Sequence, residues 1–183
     1  MAHRISKPED GEYAGYMSAY ISLVGDDGLI LEQLATNARR YEALMRAYPA
    51  ECLAKAHAPG EWTLLDILQH VIDNERVFAY RALRIARGDA TPLPGYEQDA
   101  YASAANANAR ELEDLLDEYR AVRAASMALL RALGETVLQR RGSASDNPLS
   151  VRAAAYVIAG HELYHIRSIL ENYGDPTVTK AGA

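Results

Sequence analysis

The chain has 183 residues, of which 49% are hydrophobic and 24% charged, and its formal net charge is −6. This length and composition suit a single folded domain, 1–183, with a packed core. The acidic balance argues against nucleic acid, whose phosphates need clustered Lys and Arg, and the single cysteine, Cys52, excludes a disulfide framework or a multi-cysteine zinc site.

Hydrophobic residues recur with the helical spacing i, i+3, i+4, i+7, and no segment alternates with period two, so the sequence predicts an all-α fold. A short N-terminal helix is predicted at 9–24, followed by a break at 25–27 whose aspartates can cap the next helix. Helix one then runs to about residue 48 and ends at Pro49. Helix two is predicted at 62–88, helix three at 109–133 and helix four at 148–173, with Asn147 or Ser150 as the cap of helix four.

The connection between helices two and three, 88–108, is longer than antiparallel neighbours require. Such a connection suggests a crossover that returns the chain to the end it left, so helices two and three should run parallel. The sequence therefore predicts a four-helix bundle of up-down-down-up order, with a long crossover between helices two and three and a short extra N-terminal helix.

No segment has the apolar length that a membrane span needs, and the polar first residues do not resemble a secretory signal. We therefore expect a cytoplasmic protein with no membrane partner.

Three of the five histidines, His70, His161 and His165, are predicted to lie at one level of the bundle. His161 and His165 are one turn apart on helix four, about 40° around the axis and roughly 6 Å along it, which suits two ligands of one metal ion. His70 lies about 12 Å from the start of helix two, and His165 about 12 Å from the end of helix four. In up-down-down-up order these helices are antiparallel and the imidazoles come level, whereas an up-down-up-down bundle would separate them by roughly 6 to 12 Å.

The sequence thus predicts one divalent transition metal on His70, His161 and His165. Three imidazoles suit Zn, Ni, Fe or Cu, with Zn or Ni favoured, and they leave a position for water or substrate. The plainer alternative is that His161 and His165 are two ordinary histidines at the edge of the core. His3 and His57 lie in the terminus and in a loop, and are not expected to be ligands.

Residues 161–165 also match H-E-x-x-H, the zincin pattern in which the glutamate is the general base. A zincin needs a third ligand beyond this motif, but no glycine and third histidine follow, and no strand is predicted that would hold a peptide. A zinc protease is therefore a minor alternative. Helical projection points Glu162 deeper into the bundle than the histidines, which favours a role in orienting a ligand over a role as the base. Tyr164 projects towards the rim, where it can touch a substrate or simply pack.

Three charged residues, Glu75, Arg123 and Glu162, fall near the centres of apolar helix faces. Charged residues are seldom buried unless they are paired. We therefore predict that Arg123 pairs with at least one of the two glutamates beneath the metal; the alternative is that one or two of them reach solvent.

Several blocks of the sequence resemble the DinB/YfiT-like superfamily. The resemblance covers most of the chain, 8–173, and departs from the family pattern at Tyr164, where many relatives have a histidine that is not a ligand. The blocks that carry it are Gly60-Glu61-Trp62-Thr63, residues 68–76 (LQHVIDNER), Tyr80-Arg81-Ala82, residues 93–96 (LPGY), residues 122–125 (VRAA) and residues 160–165 (GHELYH).

This resemblance implies a bundle of the same topology, with a metal held by one histidine of helix two and two of helix four, which here are His70, His161 and His165. It also implies a metal-dependent enzyme for a small-molecule substrate, either a thiol S-transferase that uses a low-molecular-weight thiol or a hydrolase. In both, the metal would bind a thiol or water at its open position and lower the pKa of that group. The residues also leave open a non-catalytic, structural metal-binding bundle, and either kind of protein is compatible with a homodimer.

Overall fold

The computed structural model describes residues 3–178, and most of its regular structure is helical. Within these residues four long helices form a bundle, one short helix precedes the first of them, and three short helices lie in the connections between them. In chain order the helices are α1 (Ser18–Ile21), α2 (Ile30–Ala47), α3 (Ala50–Leu53), α4 (Leu64–Ala86), α5 (Gln98–Ala105), α6 (Leu112–Arg131), α7 (Glu135–Leu138) and α8 (Val151–Tyr173). Within residues 3–178, no helix combines the length and the hydropathy that crossing a membrane requires.

The predicted N-terminal helix at 9–24 is wrong for most of its length. Only a 3-10 turn, Gly15–Met17, and the single turn of α1 are helical there. Gly11 has a φ of 82°, which interrupts a helix, and the backbone carbonyl of Glu12 accepts a hydrogen bond from the amide of Ser150. The predicted cap at 25–27 also differs, because Leu29 is the N-cap of α2 and Asp27 only accepts a hydrogen bond from its amide.

The all-α prediction missed a small hairpin just before α8. Strands β1 (Arg141–Ala144) and β2 (Asn147–Ser150) pair antiparallel, and Leu93 forms a bridge to Ala144. Each strand has four residues and few β-branched side chains, so no alternating pattern reveals them in the sequence. Helix four consequently begins at Val151, with the hydroxyl of Ser150 accepting a hydrogen bond from the amide of Ala153 as its cap.

The long connection after α4 is partly ordered as helix. It contains α5 and a second 3-10 turn, Ala107–Ala109. Asn108 donates hydrogen bonds to both carboxylate oxygens of Asp66, which itself caps the start of α4 together with Thr63. The end of the connection is therefore fixed beside the first turn of α4.

The buried apolar residues form two clusters, one towards each end of the bundle. Between them lies a layer of buried polar side chains to which every long helix contributes. Asn37 of α2 is one member, and its amide donates a hydrogen bond to the carbonyl of Ala159. The others on this level are Glu75 of α4, Arg123 of α6, and His161 and Glu162 of α8.

Candidate metal centre

The three histidines that the sequence singles out lie together in the polar layer. The Nε2 atoms of His70 and His161 are 3.0 Å apart, and those of His161 and His165 are 3.2 Å apart. Their ligand atoms all lie within 4.8 Å of one another. Nitrogens placed 2.0–2.1 Å from one ion at octahedral or tetrahedral angles would be about 2.9 to 3.4 Å apart, so the two distances measured from His161 fit neighbouring ligands of one ion.

The capped start of α4 determines how far along the helix axis His70 lies, which is level with His161 and His165. Thr63 and Asp66 form a capping box, in which each side chain accepts a hydrogen bond from the other residue's backbone amide. This fixes the start of the helix, and His70 follows about two turns later. Trp62, just before the cap, packs its ring on His70 at 4.7 Å between centroids.

Burial keeps the three imidazoles uncharged. It lowers the pKa of His70 to about 4, with the charge of Asp99 acting in the opposite direction. It lowers the pKa of His165 to about 3, and it brings the pKa of His161 well below the ordinary value, with a further contribution from the other two rings. A neutral imidazole has a free lone pair, which is the form that binds a metal.

A close approach between α1 and α8 shapes one wall of the site. A Cβ atom at Gly160 would lie 2.1 Å from the backbone carbonyl oxygen of Tyr20, so only glycine lets the two segments pack there. Tyr20 then packs edge-on against His161 and Tyr164, with ring centroids 5.2 and 5.4 Å apart. Tyr164 also packs on His165. Arg167 lies over the Tyr164 ring, 5.6 Å from its centroid, so the observed contacts of Tyr164 are packing contacts with aromatic rings and with a guanidinium.

A polar cavity of about 300 Å³ lies beside His161. Its walls come from α4, from the connection after α4, from the turn of the β1–β2 hairpin, from Tyr16 just before α1 and Tyr20 within it, and from His161 of α8. The residues that matter for its chemistry are Asn74, Arg81, Tyr96, Asp99 and Ser145. None of these was predicted as a site residue, because their approach depends on the path of the connection and on a hairpin that no sequence pattern reveals.

The predicted ion pairing of Arg123 is confirmed, and it involves both glutamates. Its Nη2 atom lies 2.9 Å from Glu75 Oε2 and 3.0 Å from Glu162 Oε1, and its Nη1 donates to the carbonyl of Leu34 at 2.7 Å. The hydroxyl of Tyr119 also donates to Glu162. Burial raises the pKa of Glu162, although Arg123 and Tyr119 oppose this; the two carboxylates raise the pKa of Arg123 against the effect of burial.

These contacts bear on the H-E-x-x-H motif. Glu162 is 1% exposed, and both of its carboxylate oxygens are bonded to Arg123 or Tyr119. A zincin requires this glutamate to face a water at the metal. Here it faces the core, so it has no free oxygen to act as that base.

His57 lies apart from the cluster. Its ring packs on Tyr173 at 5.1 Å between centroids, close to the end of α8. The group that has metal-ligand spacing in the described part of the chain consists of His70, His161 and His165.

The fold and the site together place this protein among helical bundles in which three converging imidazoles could hold a metal ion. Within that class, the family model for the DinB superfamily matches residues 33–169, and the chain belongs to this superfamily. The resemblance seen in the sequence is thereby confirmed.

A solved structure, described as "YfiT from Bacillus subtilis is a probable metal-dependent hydrolase with an unusual four-helix bundle topology", has a similar fold. Its TM-score is 0.66 at 16% sequence identity, over 90% of this chain and 90% of that chain. No curated protein matches the chain.

Proposed function

We propose that this protein is a metal-dependent enzyme for a small polar molecule, with one divalent transition ion on His70, His161 and His165. The observation that carries the proposal is the convergence of three uncharged Nε2 atoms, at spacings of 3.0 and 3.2 Å, beside a polar cavity. A divalent ion held there would supply Lewis acidity and lower the pKa of a bound water or thiol. An all-nitrogen set of three imidazoles suits Zn or Ni first, and Fe as a further candidate.

Hydrolysis is the reaction that we favour. Asp99 lines the same cavity as His161, and its negative charge raises the pKa of His70 against the effect of burial, so the carboxylate lies near the histidines. Asp99 is exposed and shows no ordered ion pair within residues 3–178, which leaves it free to accept a proton from water. The description of the YfiT structure as a probable metal-dependent hydrolase supports the same reaction class.

Thiol transfer is the second candidate. Within residues 3–178 no carboxylate joins the three histidines in a group with metal-ligand spacing, and Glu162 is engaged by Arg123 and Tyr119. A low-molecular-weight thiol is far more acidic than water, and needs less help from a protein base to become a nucleophile. A site without a carboxylate in contact with its ligands is therefore compatible with such a thiol as co-substrate.

We also infer the up-down-down-up order of the long helices. Gln69 of α4 binds Arg110, two residues before α6, and Arg76 of α4 binds Glu118 of α6. The two contacts follow the same order along both segments, which supports a parallel pair. The hydroxyl of Tyr173, at the end of α8, donates to the carbonyl of Trp62, just before α4, which supports an antiparallel pair.

Two substrate panels test the reaction. Metal-loaded protein is incubated with small esters and amides, and separately with low-molecular-weight thiols and an electrophilic acceptor. Cleavage that is lost on chelation and in His165→Ala, and that falls about 10²- to 10⁴-fold in Asp99→Asn, supports the hydrolase. The matched control is Asp117→Asn, an exposed aspartate on α6 that should leave turnover unchanged.

The other outcomes separate the alternatives. Metal-dependent conjugation of thiols without cleavage identifies the transferase. Tight metal binding with no turnover on either panel contradicts an enzyme and leaves a structural metal site.

A further inference from the structure

Arg81 is a buried cation without a carboxylate partner. It is 3% exposed, and its Nη2 donates to the carbonyl of Pro94 at 2.9 Å and to the hydroxyl of Ser145 at 3.0 Å. Among residues 3–178 no carboxylate forms an ion pair with it. Burial lowers the pKa of Arg81, and the phenols of Tyr16 and Tyr96 oppose this effect.

Two other buried arginines, Arg123 and Arg152, each form ion pairs with carboxylates. Arg123 is paired with Glu75 and Glu162, and Arg152 with Glu12. An unpaired charge in the core is unfavourable, so the burial of Arg81 without a carboxylate partner requires an explanation.

Asn74 is a second incomplete polar group on the same cavity. It is 6% exposed, its Nδ2 donates to the hydroxyl of Tyr96 at 3.0 Å, and its Oδ1 has no partner. If the amide were turned over, Nδ2 would lack the partner instead. A buried polar atom without a hydrogen bond is unfavourable, so a ligand that completes it gains binding energy.

These groups lie in line with the candidate metal site. His70, Asn74, Phe78 and Arg81 are spaced by four, four and three residues, which places them along one face of α4. Their Cα atoms span about 16 Å of helix axis from His70 to Arg81, and the arginine side chain leans back towards the start of the helix. A small molecule in the cavity therefore contacts His161 of the histidine cluster as well as the guanidinium of Arg81.

We propose that Arg81 and Asn74 form the recognition subsite of this cavity, and that its substrate is a small carboxylate. The carboxylate binds the guanidinium of Arg81, and a second polar group of the molecule hydrogen-bonds Asn74. The guanidinium fork also fits phosphate, but the exposed Glu97 and Asp99 line the same cavity and oppose a second negative charge. The identification of this ligand as the substrate rests on the proposed function, whereas its binding does not.

The test compares carboxylates with their uncharged amides. Metal-loaded and metal-free protein are titrated calorimetrically with glycolate, 4-hydroxybutyrate and 6-hydroxyhexanoate, with the three matching amides, and with inorganic phosphate. We expect at least one carboxylate to bind ten times more tightly than its amide and than phosphate. Equal affinity for all three amide pairs, or tighter binding of phosphate, would overturn the assignment.

Variants locate the binding to Arg81. Arg81→Met should weaken the preferred carboxylate about 10- to 100-fold and leave its amide unaffected, because a charge-assisted hydrogen bond is lost. Arg84→Met, one turn further along α4, is the matched control and should bind like wild type. The ligand-free Arg81→Met protein should melt no lower than wild type, since it has lost an unpaired buried charge. Unchanged carboxylate affinity together with a lowered melting temperature would make Arg81 a structural residue and overturn the proposal.

Two further variants apply if Arg81→Met does not fold. Arg81→Lys keeps the charge without the fork, and Asn74→Asp adds a negative charge to the cavity, so both should weaken the carboxylate selectively. The carboxylate subsite and the metal-dependent enzyme can be contradicted independently of each other. Turnover of esters without preference for a carboxylate contradicts the subsite alone, and carboxylate binding without metal or turnover contradicts the enzyme alone.

Discussion

Arg123 and Glu162 form a buried ion pair, 3.0 Å from Nη2 to Oε1, one residue along α8 from the candidate metal ligand His161. Both side chains are at most 4% exposed, and the pair is extended by Glu75 and Tyr119. Charged groups at this depth are stable only as a complete set, because the removal of one member leaves the others unpaired in the core. The ion pairs and hydrogen bonds of this group therefore stabilise the part of α8 that carries His161.

Arg123→Met should lower the free energy of unfolding by about 3–5 kcal/mol, since Glu75 and Glu162 lose their buried counter-charge. Chemical denaturation measures this change. The control on the same helix is Arg120→Met, which breaks a half-exposed pair with Glu42 and a pair with the exposed Asp117, and should cost about 0–1 kcal/mol. Equal stability of the two variants would contradict the buried network.

Substitution of any one candidate ligand should remove most of the bound metal. His70→Ala, His161→Ala and His165→Ala each take one of three donors from the site, and three-ligand sites lose affinity steeply when one is gone. Elemental analysis of protein purified without a histidine tag is the measurement. His3→Ala and His57→Ala should retain the metal, and retention by all three ligand variants would show that the cluster is not the site.

Glu12 should make stability depend on acid pH. Burial alone raises its pKa, but hydrogen bonds from Arg152 and Ser150 outweigh burial and lower the pKa to about 2. Because the pKa of Glu12 is lower in the folded state than in the unfolded state, its ionised form stabilises the fold. This stabilisation is fully present above the unfolded-state pKa of about 4.3, and it is lost as the pH falls through the folded-state pKa. Glu12→Gln should therefore be less stable than wild type by about 3 kcal/mol at pH 6.

This difference between wild type and Glu12→Gln should shrink as the pH falls and vanish below pH 2, where Glu12 is protonated in the folded protein as well as in the unfolded one. Denaturation curves of both proteins across this range give the difference directly. A constant difference at every pH would contradict the linkage to Glu12.

Gly160→Ala should push α1 away from α8. The added Cβ meets the backbone carbonyl of Tyr20, which cannot rotate aside as a side chain can, so we expect a loss of about 1–3 kcal/mol. The same shift should move the Tyr20 ring from His161 and weaken metal binding. Gly25→Ala, where a Cβ meets nothing within 4 Å, is the control. A Gly160→Ala protein with wild-type stability and metal content would show that the contact is easily relieved.

The parts of the molecule that the sequence predicts well depend on periodicity within long helices. The positions of the three histidines and the inward placement of Glu75 and Glu162 follow from counting residues along α4 and α8, whose starts are marked by side-chain caps. The inward placement of Arg123 follows from the apolar periodicity of α6, which has no such cap. A shift of one residue would move each side chain by 100°, so long, well-capped helices are where such counting is reliable.

The parts that the sequence did not predict depend on contacts between segments far apart in the chain. The segment before α1 has helical spacing, but residues 10–13 form a turn and a bend, in which Glu12 binds Arg152 and Ser150. The role of Arg81 likewise needs Pro94 and Ser145, which come from two different loops. No local pattern encodes which distant partner a side chain will meet.

The buried polar layer also determines how the four long helices can slide against one another. Apolar side chains above and below it are similar enough that a helix displaced by one turn, about 5.4 Å, would still bury most of its hydrophobic surface. The same displacement of α6 would carry Arg123 away from both Glu75 and Glu162, and a displacement of α2 would separate Asn37 from the carbonyl of Ala159. Each shifted register would leave at least one charge or amide unpaired in the core. The polar layer therefore favours a single alignment of the helices, and in that alignment the three imidazoles meet.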